Sequence, residues 1–187
     1  MDIKANEVVT KTPVRLSYCY LVRPRKNDDG TDGKYGAMLI IPKSDTQTVA
    51  AINKAIENAK ALGAASGIKN AKNFLSPLRD GDGQKPRGGE YGPECKGCWV
   101  LNTSSKRQPK VCDKRLQNIL DEDEIYSGMW ANVYISFACF SVTGNSGISC
   151  YLNLVQKVRD DDVLGGAQRN PEDVFAAVED DDDGLGL

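Results

Sequence analysis

No histidine occurs among the 187 residues of this chain. The commonest general base and the commonest metal ligand are therefore both missing. Ser–His and Cys–His hydrolases are excluded, and enzymes in general become less favoured. Six cysteines remain: Cys19, Cys95, Cys98, Cys112, Cys139 and Cys150. Cys95-Lys96-Gly97-Cys98 has the spacing of half a zinc site. Cys112 is the one plausible third ligand and no histidine completes a set, so free thiols in a loop are the commoner reading. A redox pair of the thioredoxin type stands at a helix start, whereas here a strand follows. Cys19, Cys139 and Cys150 sit in apolar runs and fit small buried hydrophobes in a reducing compartment. The carboxylates Asp121-Glu122-Asp123-Glu124 suggest metal-dependent nuclease chemistry, but no lysine or further carboxylate stands at a defined spacing, and a solvated turn is the usual explanation. The glycine-rich stretch 76–98 lacks the G-x-x-x-x-G-K-[ST] phosphate loop. No catalytic residue, metal or cofactor is expected.

Rings and cations make a stronger constellation. Tyr18, Tyr20, Trp99, Trp130, Tyr134 and Tyr151 lie in strand-like runs. Arg15, Arg23, Arg25, Lys26, Lys106, Arg107, Lys110 and Lys157 lie on or beside the same runs. Exposed rings stack bases at about 1–3 kcal/mol each, and Lys and Arg neutralise phosphates. Any single ring is more often core than platform, because Tyr and Trp are usually well buried.

Charge is distributed unevenly. Residues 160–187 carry ten acidic residues against Arg169 alone, and residues 1–159 carry 23 basic against 16 acidic. A basic body with an acidic appendage suits a polyanion binder carrying its own competitor, or an ordinary domain with a solubility tail. Glu179-Asp180-Asp181-Asp182-Asp183, followed by a terminal Leu187, is the candidate partner-binding end of that tail.

Secondary structure must position these groups. Val14–Val22 and Lys34–Pro42 read as two strands joined by a polar turn. Ser44-Asp45-Thr46-Gln47 resembles a capping box. Val49, Ile52, Ile56, Ala59 and Leu62 then mark an amphipathic helix ending near Gly63. A weaker helical stretch covers Ala64 to Phe74. After the basic, glycine-rich loop come strands at Trp99–Asn102, Met129–Val142 and Ile148–Val158. On the long strand Val133, Ile135, Phe137 and Cys139 share one face, and Trp130, Asn132, Tyr134 and Ser136 the other. On the last strand Ile148, Cys150, Leu152 and Leu154 alternate with Ser149, Tyr151, Asn153 and Val155. The expected fold is mainly β: an OB-fold-like five-stranded Greek-key barrel with one inserted amphipathic helix and a disordered acidic tail. A ferredoxin-like or open sandwich arrangement is the competitor. The expected domains are 1–160 for the barrel and 161–187 for the tail. No apolar run reaches the roughly 18 residues of a membrane span, and Met1-Asp2-Ile3-Lys4 does not open a signal peptide.

Several stretches resemble a family of tailed-phage single-stranded DNA-binding proteins. The most specific is Gly147 to Asp160 with its Val155-Gln156-Lys157-Val158 element, followed by Leu164-Gly165-Gly166 and Asp173-Val174-Phe175. Lys34 to Lys43, Leu78-Arg79-Asp80-Gly81-Asp82 and Ile125-Tyr126-Ser127-Gly128 add weaker support. The resemblance implies an OB-fold, non-enzymatic replication or recombination protein that coats single strands and ends in an acidic tail. Two features depart from the family's pattern: the chain finishes on Leu187 rather than on an aromatic residue, and Cys95/Cys98 is not a family feature.

The expected function is sequence-independent binding of single-stranded DNA, with the tail autoinhibiting and recruiting phage or host replication proteins. The expected setting is the cytoplasm of an infected bacterium, with no membrane partner and room for a homo-oligomer. A protein-interaction module whose tail mimics nucleic acid is the alternative from another class.

Overall fold

The structure, a computed structural model, describes residues 2–165. Eight strands and one helix follow in the order β1 (Glu7–Val9), β2 (Val14–Tyr20), β3 (Gly36–Pro42), α1 (Thr46–Ala65), β4 (Leu78–Asp80), β5 (Cys98–Asn102), β6 (Lys110–Cys112), β7 (Trp130–Val142) and β8 (Asn145–Arg159). Sheet neighbours run β4-β5-β3-β2-β7-β8-β6, with β1 added on β7. Closure comes just past the end of β5. There Ser104 pairs in parallel with Tyr151: its N–H donates to Cys150 O (2.9 Å), and Leu152 N–H donates to Ser104 O (3.2 Å). Strands β2, β3, β5, β8 and β7 thus form a five-stranded barrel, and closure removes the open edges a flat sheet would leave. The mainly β fold with an inserted helix matches the expectation from sequence. The short strands β1, β4 and β6 are additions that have too few residues to show a period-2 pattern in the sequence.

The barrel interior is filled by alternate residues of each strand. Leu16, Leu39, Ile41, Leu101, Ile135, Phe137 and Leu152 are fully buried there. Burying side chains of this kind contributes about 1.5–3 kcal/mol each. The helix packs Ile52, Ile56 and Ala59 onto the same core. Its N-cap is Asp45, whose carboxylate accepts from Thr48 N–H at 3.1 Å, so one side chain caps it rather than a reciprocal box. Of the weaker helical stretch expected from Ala64 to Phe74, Ala64 and Ala65 belong to the end of α1 and a 3-10 turn forms at Ala71–Asn73.

Besides a register shift between Trp130 and Ala131 at the start of β7, two bulges break the period-2 pattern. In the β7–β8 ladder Tyr134 opposes Leu154 and Ile135 opposes Leu152, leaving Asn153 as the extra residue. Facing parity reverses there: Leu152 is buried, Leu154 is 48% exposed and Val155 is buried again. The alternation expected through Leu154 and Val155 is therefore inverted, because an inserted residue turns the strand over. The second bulge lies in β2, between Ser17 and Tyr20.

A second apolar cluster sits on the outer face of β3 and β5. Met38, Ile40 and Val100 meet Tyr91 and Cys95 of the glycine-rich loop, and Leu164 packs against them. That loop is ordered by a small hairpin. Gln84 bridges Glu90, and Lys85 N–H donates to Gly89 O at 2.8 Å. Gly88 and Gly89 take φ of +90° and +85°, which side chains with a Cβ rarely adopt. Its tip carries Lys85 and Arg87.

Candidate nucleic-acid interface

A groove of about 1340 Å³ runs over the outer face of β2, β3 and the end of β5. One set of lining residues comes from the ribbon between β2 and β3. Arg25 N–H donates to Lys34 O (3.0 Å) and Asn27 N–H to Thr31 O (2.9 Å), so the expected polar turn is a short hairpin. The Asp29 carboxyl is held below its ordinary value by the Thr31 hydroxyl and backbone N–H, which keeps it charged at the turn. The other set comes from the Lys85–Arg87 tip. Six cations line the groove, Arg25, Lys26, Lys34, Lys85, Arg87 and Lys106, against two carboxylates, Asp28 and Asp32. Asp32 is paired with Lys26.

Four tyrosines line the same groove: Tyr18, Tyr20, Tyr35 and Tyr91. Strict alternation from Val14 and Leu16 would turn Tyr18 into the barrel. The β2 bulge prevents this by placing Tyr18 at φ +49°. Tyr18 is 58% exposed and Tyr20 38% exposed as a result. Left-handed backbone at a bulky residue costs about 1–3 kcal/mol and clusters at functional sites. Tyr91 is mostly buried, with Lys85 Nζ 5.7 Å from its ring centroid.

The remaining sequence candidates lie elsewhere. Trp99 faces inward against the core, with Lys43 Nζ 5.5 Å from its ring and paired to Asp80 and Asp82. Arg23 is exposed and paired with Glu122 at 3.2 Å. Arg107 and Lys110 are exposed but do not line the groove. Tyr134 lies under β1, opposite Val9, and its phenol is raised above its ordinary pKa by a hydrogen bond to Glu7. Tyr151 sits at the barrel closure.

Arg15, Trp130 and Lys157 are gathered into a different cluster. The chain leaving β8 turns back across β7 and β2 as a strap, Asp160–Leu164. Trp130 Nε1–H donates to Asp161 at 2.6 Å, and the Arg159 guanidinium lies 4.1 Å from the Trp130 ring centroid. Arg15 donates to Asp162 O at 2.9 Å and stands 3.7 Å from the Asp161 carboxylate. Lys157 pairs with Asp160 at 2.7 Å, and Tyr126 OH donates to Asp160 at 2.8 Å. Leu164 N–H donates to Ser127 O at 2.8 Å. These contacts hold the Asp160 and Asp161 carboxyls below their ordinary values, Asp160 chiefly through Lys157 and Asp161 chiefly through Trp130. The chain thus stays fixed to the barrel beyond residue 160. Glu179, Asp180, Asp181, Asp182, Asp183 and Leu187 lie outside the described residues.

Five groove residues were not among the sequence candidates: Lys34, Tyr35, Lys85, Arg87 and Tyr91. Lys85, Arg87 and Tyr91 have one signal in the sequence, the basic charge of the glycine-rich loop, whose hairpin is not legible there; Lys34 and Tyr35 stand at the start of the expected second strand. Cys95 is buried in the second cluster, and burial pushes its thiol up to about 11. Among the described residues no group of three His, Cys, Asp or Glu side chains is placed to hold a metal. No described helix is long and apolar enough to cross a membrane.

An OB barrel whose first three strands, β2, β3 and β5, and first loop carry rings and cations defines a class: the oligomer-binding barrels, which hold extended ligands on that face. Comparison with known proteins is specific. The family described as the single-stranded DNA-binding protein of Enterobacter phage Enc34 matches residues 6–185. The chain belongs to this family, one of binding proteins rather than enzymes. Putative protein p50 of Acyrthosiphon pisum secondary endosymbiont phage 1 is 30% identical over 193 residues, spanning 98% of this chain and 94% of that protein. The structure of the bacteriophage Enc34 single-stranded DNA-binding protein in complex with single-stranded DNA superposes with a TM-score of 0.70 at 27% identity, over 88% of this chain and 97% of that one. Bacteriophage T7 gp2.5, a single-stranded DNA-binding protein, shares the fold, with a TM-score of 0.56 at 17% identity over 94% of this chain and 96% of that one.

Proposed function

We propose that this protein binds single-stranded DNA in phage replication and recombination, without sequence preference, through the groove of Tyr18, Tyr20 and Tyr35. Bases stack on the exposed rings, and Arg25, Lys26, Lys34, Lys85, Arg87 and Lys106 take the phosphates. The observation that carries this reading is the coincidence, in one groove, of exposed tyrosines with six cations. Membership of a single-stranded DNA-binding family supports it.

The acidic tail competes for the same groove and, once displaced, offers Glu179 to Asp183 and Leu187 to replication proteins of phage or host. Its point of departure supports this. Leu164 packs against the cluster that contains Met38 and Tyr91, and both of those residues line the groove. Arg15, Trp130 and Lys157 act in this scheme as the mooring of the tail.

Anisotropy of labelled oligo(dT) tests both parts. Tyr20→Ala is expected to weaken binding by about 5- to 100-fold, the worth of one stacked base. Truncation after residue 165, which keeps the strap, is expected to tighten binding at low salt. Unchanged affinity in Tyr18→Ala, Tyr20→Ala and Lys106→Gln alike would remove the groove from the reading. Unchanged affinity after truncation would remove the competition.

A further inference from the structure

A second concavity, about 650 Å³, opens at the other end of the same face and is unaccounted for by the groove. One wall is the segment after the 3-10 turn, with Phe74. The other is the outer half of the β7–β8 hairpin, with Phe140 and Ser149. Its floor is Asn102, Thr103 and Ser104, and all three also line the tyrosine groove. The two depressions are therefore one track that crosses the end of β5.

Three observations fit this pocket to a nucleobase. No carboxylate lines it, and Arg79 is its one cation. Phe140 stands opposite Gly147 in the ladder, and its Cε1 and Cζ lie 3.6 Å from where a Cβ of Gly147 would be. The ring lies over the glycine, an aromatic platform on an otherwise exposed hairpin. The floor is also stiff. Thr103 Oγ1 donates to Ala37 O at 2.8 Å and accepts from Ala37 N–H at 3.1 Å, and Ser104 makes the barrel closure. A rigid aromatic wall with amide and hydroxyl groups around it suits a flat heteroaromatic ring.

We propose that the pocket between Phe74 and Phe140 is a second base-binding subsite on the same DNA strand, entered over Asn102–Ser104, with Arg79 taking a phosphate at its rim. This rests on the single-stranded DNA reading of the groove and extends the track to the β7–β8 hairpin. A short oligonucleotide fills the tyrosine groove alone; a longer one reaches Phe140.

The test is oligonucleotide length. Affinities are measured for oligo(dT) of about 4 and about 16 nucleotides, the range over which single OB folds engage. Phe140→Ala is expected to match the parent on the short oligonucleotide and to bind the long one about 5- to 100-fold more weakly. Phe140→Leu keeps an apolar side chain over Gly147 and loses the ring. It is expected to show the same length-dependent loss with an unchanged melting temperature, so that misfolding is separated from lost stacking. Arg79→Gln is expected to flatten the salt dependence by about one phosphate on the long oligonucleotide alone. Tyr20→Ala weakens both lengths. The subsite is overturned if Phe140→Leu and Arg79→Gln match the parent on both lengths, or if they lose equally on both. A parent protein that binds neither oligonucleotide overturns the single-strand reading itself, and the subsite with it.

Discussion

Tyr18 concentrates the residue-scale argument. Its side chain is exposed, yet its backbone is held at φ +49°. Relaxing that strain would return the ring to the barrel side of β2, so the strain is what presents it. A clean consequence is an inverted Gly/Ala order. At most strand positions glycine is less stable than alanine by about 0.5–1 kcal/mol. At position 18 the left-handed backbone reverses the sign, and Tyr18→Gly is expected to be more stable than Tyr18→Ala by about 1 kcal/mol in urea unfolding. Both variants should bind oligo(dT) more weakly than the parent. Equal stability of the two, or the usual order, would mean the bulge does not persist in solution. Nothing in Ser17-Tyr18-Cys19-Tyr20 signals a left-handed tyrosine. Aromatic and polar residues alternate there as in any regular strand.

At the scale of elements, the strap is the feature with a pH dependence. The carboxyls of Asp160 and Asp161 are lowered in the folded protein. Their contribution to holding the strap is therefore complete above the ordinary carboxylate range, near 4, and is lost as pH falls through their lowered folded values. Acidification is expected to expose Trp130 to acrylamide quenching before the barrel's circular dichroism changes. Gly128→Ala should do the same at neutral pH. Gly128 sits at φ +121°, and a Cβ there would collide with the carbonyl of Asp162. A Trp130 that stays shielded in Gly128→Ala until global unfolding would show that the strap is not held at this crossing. The strap occupies Arg15, Trp130 and Lys157, three of the residues the sequence offers for binding. They are cations and a ring on a polar sheet face, but their partners are carboxylates of this chain.

For the whole molecule the governing quantity is charge. Residues 1–165 carry 23 basic and 19 acidic residues, and residues 166–187 carry one and seven. Each phosphate neutralised on a single strand contributes about −0.7 to the slope of log affinity against log salt. Six groove cations therefore set a limit of about −4 for a short oligonucleotide on the protein truncated after residue 165. The full-length protein is expected to show a shallower slope, because salt weakens the competing tail as well. The two affinities should converge as salt rises. A gap that persists at high salt would mean that the tail does not act through charge.

Local pattern is enough for the five barrel strands, the helix, the inward face of β7 and the split between basic body and acidic end; the short strands β1, β4 and β6 are not legible in it. The legible features depend on neighbours in sequence: period-2 or period-3.6 burial, a capping carboxylate, a run of like charge. The tertiary structure decided the rest. A bulge exposes Tyr18, while Trp99 packs half-buried against the core, away from the groove. A hairpin brings Lys85 and Arg87 into the tyrosine groove. The strap neutralises Arg15 and Lys157, and the end of β5 joins two pockets into one track. Each of these turns on residues far apart in the chain meeting across a closed barrel, where one inserted residue or one returning segment sets which face a side chain occupies and which charge it meets.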